Sequence, residues 1–138
     1  MNEKINILNI ELYQTSAKAA MQKVVQYMES DSINTVEIIT MDMLLKGKDM
    51  PGWKEAVESL NLVLPGETEI LEAAGVREKT LLRDTAGLVF LKMFLRYIQR
   101  NKKRVFLVAQ SETELLEMES AIREHDRKLI LAGRGVLP

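Results

Sequence analysis

The apolar positions of this chain alternate between short continuous runs and longer segments with helical spacing. Five runs have the length and the β-branched content of buried strands. They cover residues 5–10, 36–40, 62–64, 104–108 and 128–131. Strands separated by helices favour right-handed crossovers and a sheet that is covered on both faces. The pattern therefore predicts an α/β fold, a three-layer sandwich with a mostly parallel sheet of about five strands.

The segments between these runs carry apolar residues at intervals of three and four, which is typical of helices. Local end signals support several of them: Ser111 and Glu114 form a capping-box pair, and Gly75 stands where a C-terminal glycine is favoured. Trp53, the single tryptophan, is expected to anchor the core. The predicted helices cover residues 16–28, a short stretch from 43, then 54–60, 67–74, 85–99 and 111–125.

Length and composition indicate an ordinary globular domain. The 138 residues fit one α/β domain over positions 1–138, and 46% are hydrophobic and 28% charged. A net charge of −1 gives no reason to expect nucleic acid as a partner. The absence of cysteine, of a signal-peptide pattern and of a membrane-length apolar run predicts a cytoplasmic protein. At most we expect peripheral contact with a membrane.

Polar residues follow two of the predicted strands at the point where each strand ends. Thr40-Met41-Asp42 follows the second strand, and Glu67 follows Pro65-Gly66 after the third. In open α/β sheets, ligands bind at the carboxyl ends of the strands. The same residues also suit a purely structural role, because hydroxyls and carboxylates stabilise the first turn of a helix. Both interpretations remain open from the residues alone.

These segments, together with the opening strand, resemble the WecG/TagA/CpsF glycosyltransferases. Members of that family carry a Thr-x-Asn after strand two and a Leu-Pro-Asp-Gly after strand three. The matching positions here read TMD at residues 40–42 and LPGE at residues 64–67. Gly66 therefore stands at the position of the family's catalytic acid, and Glu67 follows one place later.

The resemblance implies an enzyme that transfers an N-acetylhexosamine from a UDP-sugar to a lipid-linked acceptor in cell-surface polysaccharide synthesis. By this resemblance, Glu67 would act as the general base. Thr40 and Asp42 would position the sugar. Arg83, in the segment LRDTAG, is similar to the family's arginine and would hold the diphosphate. The family's mechanism needs no metal, and no cofactor is expected: dinucleotide and phosphate-loop motifs are absent.

Two features of the residues predict that activity is impaired or lost. Gly66 offers no side chain as a base, and the helices predicted after strands three and four begin with carboxylates that would repel phosphates. The sequence also stops at residue 138, before the Gln-Glu motif and membrane-associating tail that follow in the family. The alternative is a non-catalytic interaction or regulatory module that keeps the fold, and whether the chain is an enzyme stays open at this point.

The predicted helix 85–99 is apolar on nearly all sides and ends in a basic segment, residues 100–104. Such a helix is deeply buried, shared with a partner, or interfacial. We expect a homo-oligomer, with Phe90, Phe94 or Tyr97 near the contact between copies.

Overall fold

The computed structural model describes residues 3–77, 87–125 and 127–138. The chain forms two compact units, residues 1–91 and 92–138, and each is described on its own. The first unit contains β1 (Glu3–Ile7), β2 (Ile10–Gln14), α1 (Ala17–Glu29), β3 (Val36–Ile39), α2 (Met41–Gly47), α3 (Trp53–Glu58), β4 (Leu62–Pro65) and α4 (Thr68–Ala73). Helix α5 (Gly87–Arg100) carries residues of both units. The second unit contains β5 (Arg104–Ala109), α6 (Glu112–His125) and β6 (Ile130–Val136).

The amino-terminal segment is a hairpin, and the prediction of one strand over residues 5–10 was wrong. Strands β1 and β2 pair antiparallel, with Ile7 opposite Ile10. Leu8 and Asn9 form a two-residue loop with φ values of 49° and 66°. Positive φ at both loop positions is the geometry that matches the twist of paired strands. The run of apolar residues hid the turn, because a leucine in place of a glycine or asparagine gives no turn signal.

Strands β3 and β4 pair in parallel, and both contribute residues to the core of the first unit. Their register places Val36 opposite Leu62 and Ile39 opposite Pro65. Every residue of β4 is buried, as expected for a strand that is covered on both faces. Strand β2 lies in contact with β4, and α3 contacts β2. The buried core of this unit consists of Ile7, Ile10, Leu12, Ile39, Leu44, Val57, Val63 and Ile70.

Several helix ends form as their local sequences predict. The Ser16 hydroxyl accepts a hydrogen bond from the Ala19 N–H at the start of α1. After α4, Gly75 has a φ of 93°, and the Val76 N–H donates to the carbonyl of Leu71 at 2.9 Å. This is the Schellman arrangement, in which a left-handed residue closes the helix. The predicted helix from residue 43 begins two residues earlier, because Thr40 rather than Asp42 is its cap.

Side chains from three segments close the amino edge of the β3–β4 pair. The Asn61 side-chain oxygen accepts from the Thr35 N–H at 2.8 Å and from the Thr35 hydroxyl at 3.0 Å. The Tyr27 hydroxyl donates to the Asn61 carbonyl at 3.3 Å. Burial and, secondarily, the neighbouring Tyr13 raise the pKa of Tyr27 above its ordinary value. Its hydroxyl therefore stays protonated at neutral pH and remains a donor.

The second unit is a parallel pair of strands with one helix packed on it. Strand β5 pairs with β6, and a bulge falls between Val105 and Phe106. Helix α6 contacts both strands and buries Leu115 against Leu107 and Ala109. Strand β6 runs on to residue 136, beyond the predicted end at 131, because Gly133 and Gly135 continue the ladder.

The α/β class is confirmed, whereas the predicted continuous sheet is not clearly present. In the described ranges the strands form three separate pairs, of which two are parallel and one is antiparallel. The antiparallel pair comes from the hairpin, which contributes two strands where the pattern predicted one. The organisation of residues 1–138 as a single domain stays a prediction.

Trp53 packs against the core of the first unit, as predicted, and it lies directly on Gly47. A Cβ atom at Gly47 would overlap the indole ring. We predict that Gly47→Ala lowers the free energy of unfolding by about 1–3 kcal/mol, since overpacking a filled site forces side chains off their preferred rotamers. Urea denaturation followed by the fluorescence of Trp53 measures this.

Gly135→Ala is the matched control for this substitution. A Cβ atom there would meet the Phe106 ring at 3.7 Å, an ordinary contact. Equal losses of stability in the two variants would contradict the packing of Trp53 on Gly47.

Candidate functional site

The carboxyl edge of the β3–β4 pair is where the predicted site residues lie. The pairing continues one step past β4, because the Gly66 N–H donates to the carbonyl of Ile39 at 2.7 Å. Helix α2 starts directly after β3, and α4 starts two residues after Gly66. The beginnings of two helices therefore meet at the edge where parallel α/β proteins bind ligands.

Glu67 connects these two helix starts. Its backbone is extended, with φ −141° and ψ 147°, and it occupies the N-cap position of α4. Its side chain does not cap α4. Instead, Oε1 accepts a hydrogen bond from the N–H of Met41, the first residue of α2, at 2.6 Å. A carboxylate at this position satisfies a backbone N–H that has no partner within the helix. Its negative charge also interacts favourably with the positive end of the helix dipole.

Thr40 caps the same helix from within its own segment. Its backbone is extended, and Oγ1 accepts a hydrogen bond from the Met43 N–H at 3.2 Å. The sequence left open whether Thr40 binds a ligand or caps a helix. In the structure, its side-chain oxygen caps α2. The hydroxyl proton is not used in this bond, so Thr40 retains a donor for another acceptor.

Asp42 lies one residue beyond Met41 and points to solvent. Its side chain is 71% exposed and pairs with the Lys46 ammonium at 3.0 Å, one helical turn later. An exposed pair of this spacing contributes only a few tenths of a kcal/mol to stability, roughly 0.3–0.5. Asp42 therefore lies at the edge of the site, and no buried contact fixes the position of its side chain.

Gly66, at the position of the family's acid, has little room for a side chain. A Cβ atom built there would lie 2.8 Å from Cγ2 of Ile38 and 3.0 Å from the carbonyl oxygen of Ile39. The oxygen belongs to the backbone of the adjacent strand and cannot rotate away. A side chain at this position would require the Ile38 side chain to move and the backbone of strand β3 to shift by a few tenths of an ångström.

The structure brings three of the four predicted residues together. Thr40, Asp42 and Glu67 lie around the first turn of α2, whereas Arg83 falls outside the described residues. Sequence reasoning missed the Met41 N–H as the partner of Glu67. No local signal could have revealed it, because the two residues are 26 positions apart.

Two further properties of the described ranges bear on the site. In them, no group of three or more His, Cys, Asp or Glu side chains is arranged to hold a metal ion. Also within those ranges, no helix has the length and apolarity needed to cross a bilayer.

The parallel strand pairs and the helices that follow their strands define an α/β protein, and the carboxyl edge of the β3–β4 pair gathers a threonine and acidic residues. The model of the WecG/TagA/CpsF glycosyl transferase family matches residues 5–136. This is nearly the whole chain, and the chain therefore belongs to the WecG/TagA/CpsF family of glycosyltransferases. No curated protein sequence matches it at a significant level.

The link between Glu67 and Met41 predicts a graded response to substitution. Glu67→Ala removes the acceptor of a half-buried N–H, and we expect the free energy of unfolding to fall by about 1–3 kcal/mol. Glu67→Gln keeps an oxygen that can accept this hydrogen bond, and we expect its free energy of unfolding to fall by clearly less. Denaturation in urea measures both, and hydrogen exchange at the Met41 amide locates the effect.

Glu69→Ala is the control, because Glu69 is an exposed first-turn residue of the same helix. If the Met41 amide exchanged equally fast in the parent and in Glu67→Ala, the hydrogen bond would not form in solution.

Proposed function

We propose that this chain is a glycosyltransferase-family protein whose own transfer activity is impaired or lost. The family's reaction, by resemblance, is transfer of an N-acetylhexosamine from a UDP-sugar to a lipid-linked acceptor during cell-surface polysaccharide synthesis. Thr40 and Asp42 are the proposed sugar contacts, Arg83 the proposed diphosphate contact, and Glu67 the remaining candidate base. No cofactor takes part in this proposal.

The hydrogen bond from Met41 to Glu67 is the observation that supports impaired activity. A general base must reach the proton it removes, with heavy atoms about 2.6–3.2 Å apart. The Glu67 carboxylate is already held by a backbone N–H at 2.6 Å. A base that is displaced by about 1 Å can lose ~100-fold in rate. Because the Met41 N–H holds Oε1, only the second oxygen of Glu67 is open to an acceptor hydroxyl, and its position is fixed by this contact rather than by the position of the family's acid.

The carboxylates at this edge also oppose the binding of a nucleotide. Asp42 and Glu69 lie in the first turns of α2 and α4, and Glu67 is the N-cap residue of α4. Negative side chains there compete with phosphate oxygens for the same backbone N–H groups and repel them. The alternative function, a non-catalytic interaction or regulatory module, is favoured by the same observation.

We predict weak or undetectable binding of UDP and negligible transfer by this chain alone. Isothermal titration calorimetry with UDP and UDP-N-acetylmannosamine tests the first part. Turnover with a lipid-linked acceptor, compared between the parent and Glu67→Gln, tests the second. Turnover by the parent that Glu67→Gln abolishes would overturn the proposal of lost activity, because it would identify a working base.

The variant Gly66→Asp distinguishes two explanations for a loss of activity: that only the family's acid is missing, or that the site can no longer accommodate it. Since Ile38 and Ile39 leave no space for the new Cβ atom, we expect this variant to stay inactive and to be less stable than the parent. Ile38→Ala combined with Gly66→Asp removes one of the two contacts. Because Ile38→Ala costs stability of its own, the four proteins are compared as a double-mutant cycle: Gly66→Asp should lower the thermal midpoint less in the Ile38→Ala background than in the parent.

Self-association through helix α5 is part of the proposal. Phe90 is buried at 4% exposure, Phe94 and Tyr97 are half-buried, and Leu91 is 40% exposed on the same helix. We predict a homodimer or larger at tens of micromolar, on the order of common interface affinities, and a shift towards monomer in Leu91→Lys. Light scattering measures the mass, and Leu116→Lys, at an exposed leucine of α6, is the control. A monomeric parent would contradict this prediction.

A further inference from the structure

The turn between α1 and β3 presents an isoleucine to solvent. Ile33 is 94% exposed, more than any other large hydrophobic side chain that the structure describes. One exposed apolar residue is ordinary on a protein surface, so its exposure alone indicates little. The turn around Ile33, however, is ordered by several side-chain hydrogen bonds, and it carries charge.

Asn34 holds this turn together. Its side-chain amide lies within hydrogen-bond distance of the Ser30 hydroxyl oxygen at 3.0 Å, the Ser32 carbonyl at 3.2 Å and the Tyr27 carbonyl at 3.3 Å. The Ser30 hydroxyl in turn donates to the Tyr27 carbonyl at 2.8 Å. These bonds order the backbone on both sides of Ile33, so binding through this side chain requires little further loss of conformational entropy.

The same turn is acidic. Glu29 and Asp31 are both exposed on the amino-terminal side of Ile33. Residues 24–35 contain no lysine or arginine, so no cation of this segment offsets their charge. The acidic turn, residues 29–34, therefore combines one exposed apolar side chain with a net negative charge.

The strand pair of the second unit has one covered face and one open face. Val105, Leu107 and Ala109 pack under α6, so the alternate residues of β5 point to the other side of the pair. On this open face Phe106 is 60% exposed and Val108 is 46% exposed.

Strand β6 extends the open face. Phe106 lies across Gly133 and Gly135, and a Cβ atom built at Gly133 would come within 2.7 Å of its ring. Ile130 begins β6 opposite Arg104 and is 42% exposed. The open face is therefore an aromatic and aliphatic surface.

Cations border the open face. Four of the five residues from 100 to 104 are arginine or lysine, and all five are exposed. Arg104 is the first residue of β5, so these cations lie at the end of the strand that carries Phe106. The open face and the acidic turn are thus both apolar at the centre, and they are opposite in charge.

We propose that the acidic turn of one copy of this chain binds the open face of a second copy. Ile33 packs against Phe106 and Val108, and the carboxylates next to Ile33 lie near the cations of residues 100–104. Burial of the apolar side chains stabilises the contact, and the opposite charges orient it. The occupant is a second copy because the two complementary surfaces occur on the same polypeptide chain.

The contact joins two different surfaces, so it is heterologous. In a pair of copies one acidic turn and one open face stay free, and association therefore continues until a ring closes or a filament forms. The contact uses none of the α5 residues proposed above for self-association, and it does not depend on transfer activity.

The test measures mass by analytical ultracentrifugation of the Leu91→Lys variant, in which the contact proposed through α5 is removed. We expect its mean mass to rise with concentration on the order of hundreds of micromolar, as for other contacts of small area, and to fall as salt is raised. Ile33→Lys or Phe106→Glu, added to this variant, should lower the association constant at least about tenfold, since each removes a buried apolar side chain. Leu45→Lys, at a leucine that is 51% exposed, is the control and should leave association unchanged.

A mixing experiment identifies the two surfaces as partners. The Ile33→Lys variant keeps an intact open face, and the Phe106→Glu variant keeps an intact acidic turn. Neither should associate alone, whereas an equimolar mixture should form pairs and nothing larger, because a single contact remains. A symmetric contact through one surface would instead leave one of the two variants associating by itself.

Two charge variants keep the test decisive if Phe106→Glu disturbs the strand pair. Asp31→Lys changes one exposed side chain of the turn and should weaken association severalfold, whereas Asp49→Lys, an equal change of charge at another exposed aspartate, should not. In the mixing experiment, Lys103→Glu then takes the place of Phe106→Glu, and the mixture should associate more strongly than either variant alone.

Three outcomes would overturn the proposal: a Leu91→Lys variant that stays monomeric over this range, equal association constants after Ile33→Lys and Leu45→Lys, or a mixture that associates no more than its components. Each of them would leave the contact through α5 and the proposed loss of transfer activity unaffected, because those are measured separately.

Discussion

The site depends on the parallel register of β3 and β4, which continues past the end of β4. The Gly66 N–H reaches the Ile39 carbonyl at 2.7 Å, and this is possible because Gly66 has no Cβ atom to meet that strand. With the backbone held there, the next residue, Glu67, comes within hydrogen-bond distance of the first N–H of α2. This constraint on the backbone therefore decides where the Glu67 carboxylate is placed.

The polar groups at this edge are largely committed to the fold. The Thr40 oxygen and the Glu67 carboxylate satisfy N–H groups in the first turn of α2, and Asp42 pairs with Lys46 on its surface. A substrate would have to compete with these contacts, and a phosphate would also meet their negative charge. Membership of a glycosyltransferase family and the proposed loss of transfer activity are thus compatible. Family membership is carried by most of the chain, whereas the chemistry depends on a few atoms.

The second unit uses its strand pair differently. Helix α6 covers one face and neutralises Arg134 with two glutamates, so that face is closed. On the other face Phe106 rests on glycines, and residues 100–104 at the adjoining edge are exposed and include four cations. In this unit the exposed chemistry is cationic and apolar, and at the β3–β4 edge it is anionic and polar. The two surfaces therefore differ in chemical character.

The sequence by itself determined the α/β class, the family and most helix ends. Caps such as Ser111 and Gly75 were predictable because the hydrogen bonds that form them join residues at most five apart, where the backbone geometry of a helix dictates the contact. The hairpin was missed because Leu8, the first loop residue, gives no turn signal, and Asn9 alone does not interrupt the apolar run. Only the tertiary structure decided that Glu67 bonds to Met41 and that Gly66 has no space for an acid. Both depend on strands 26 residues apart in sequence, and the distance between such strands is set by packing rather than by local preference.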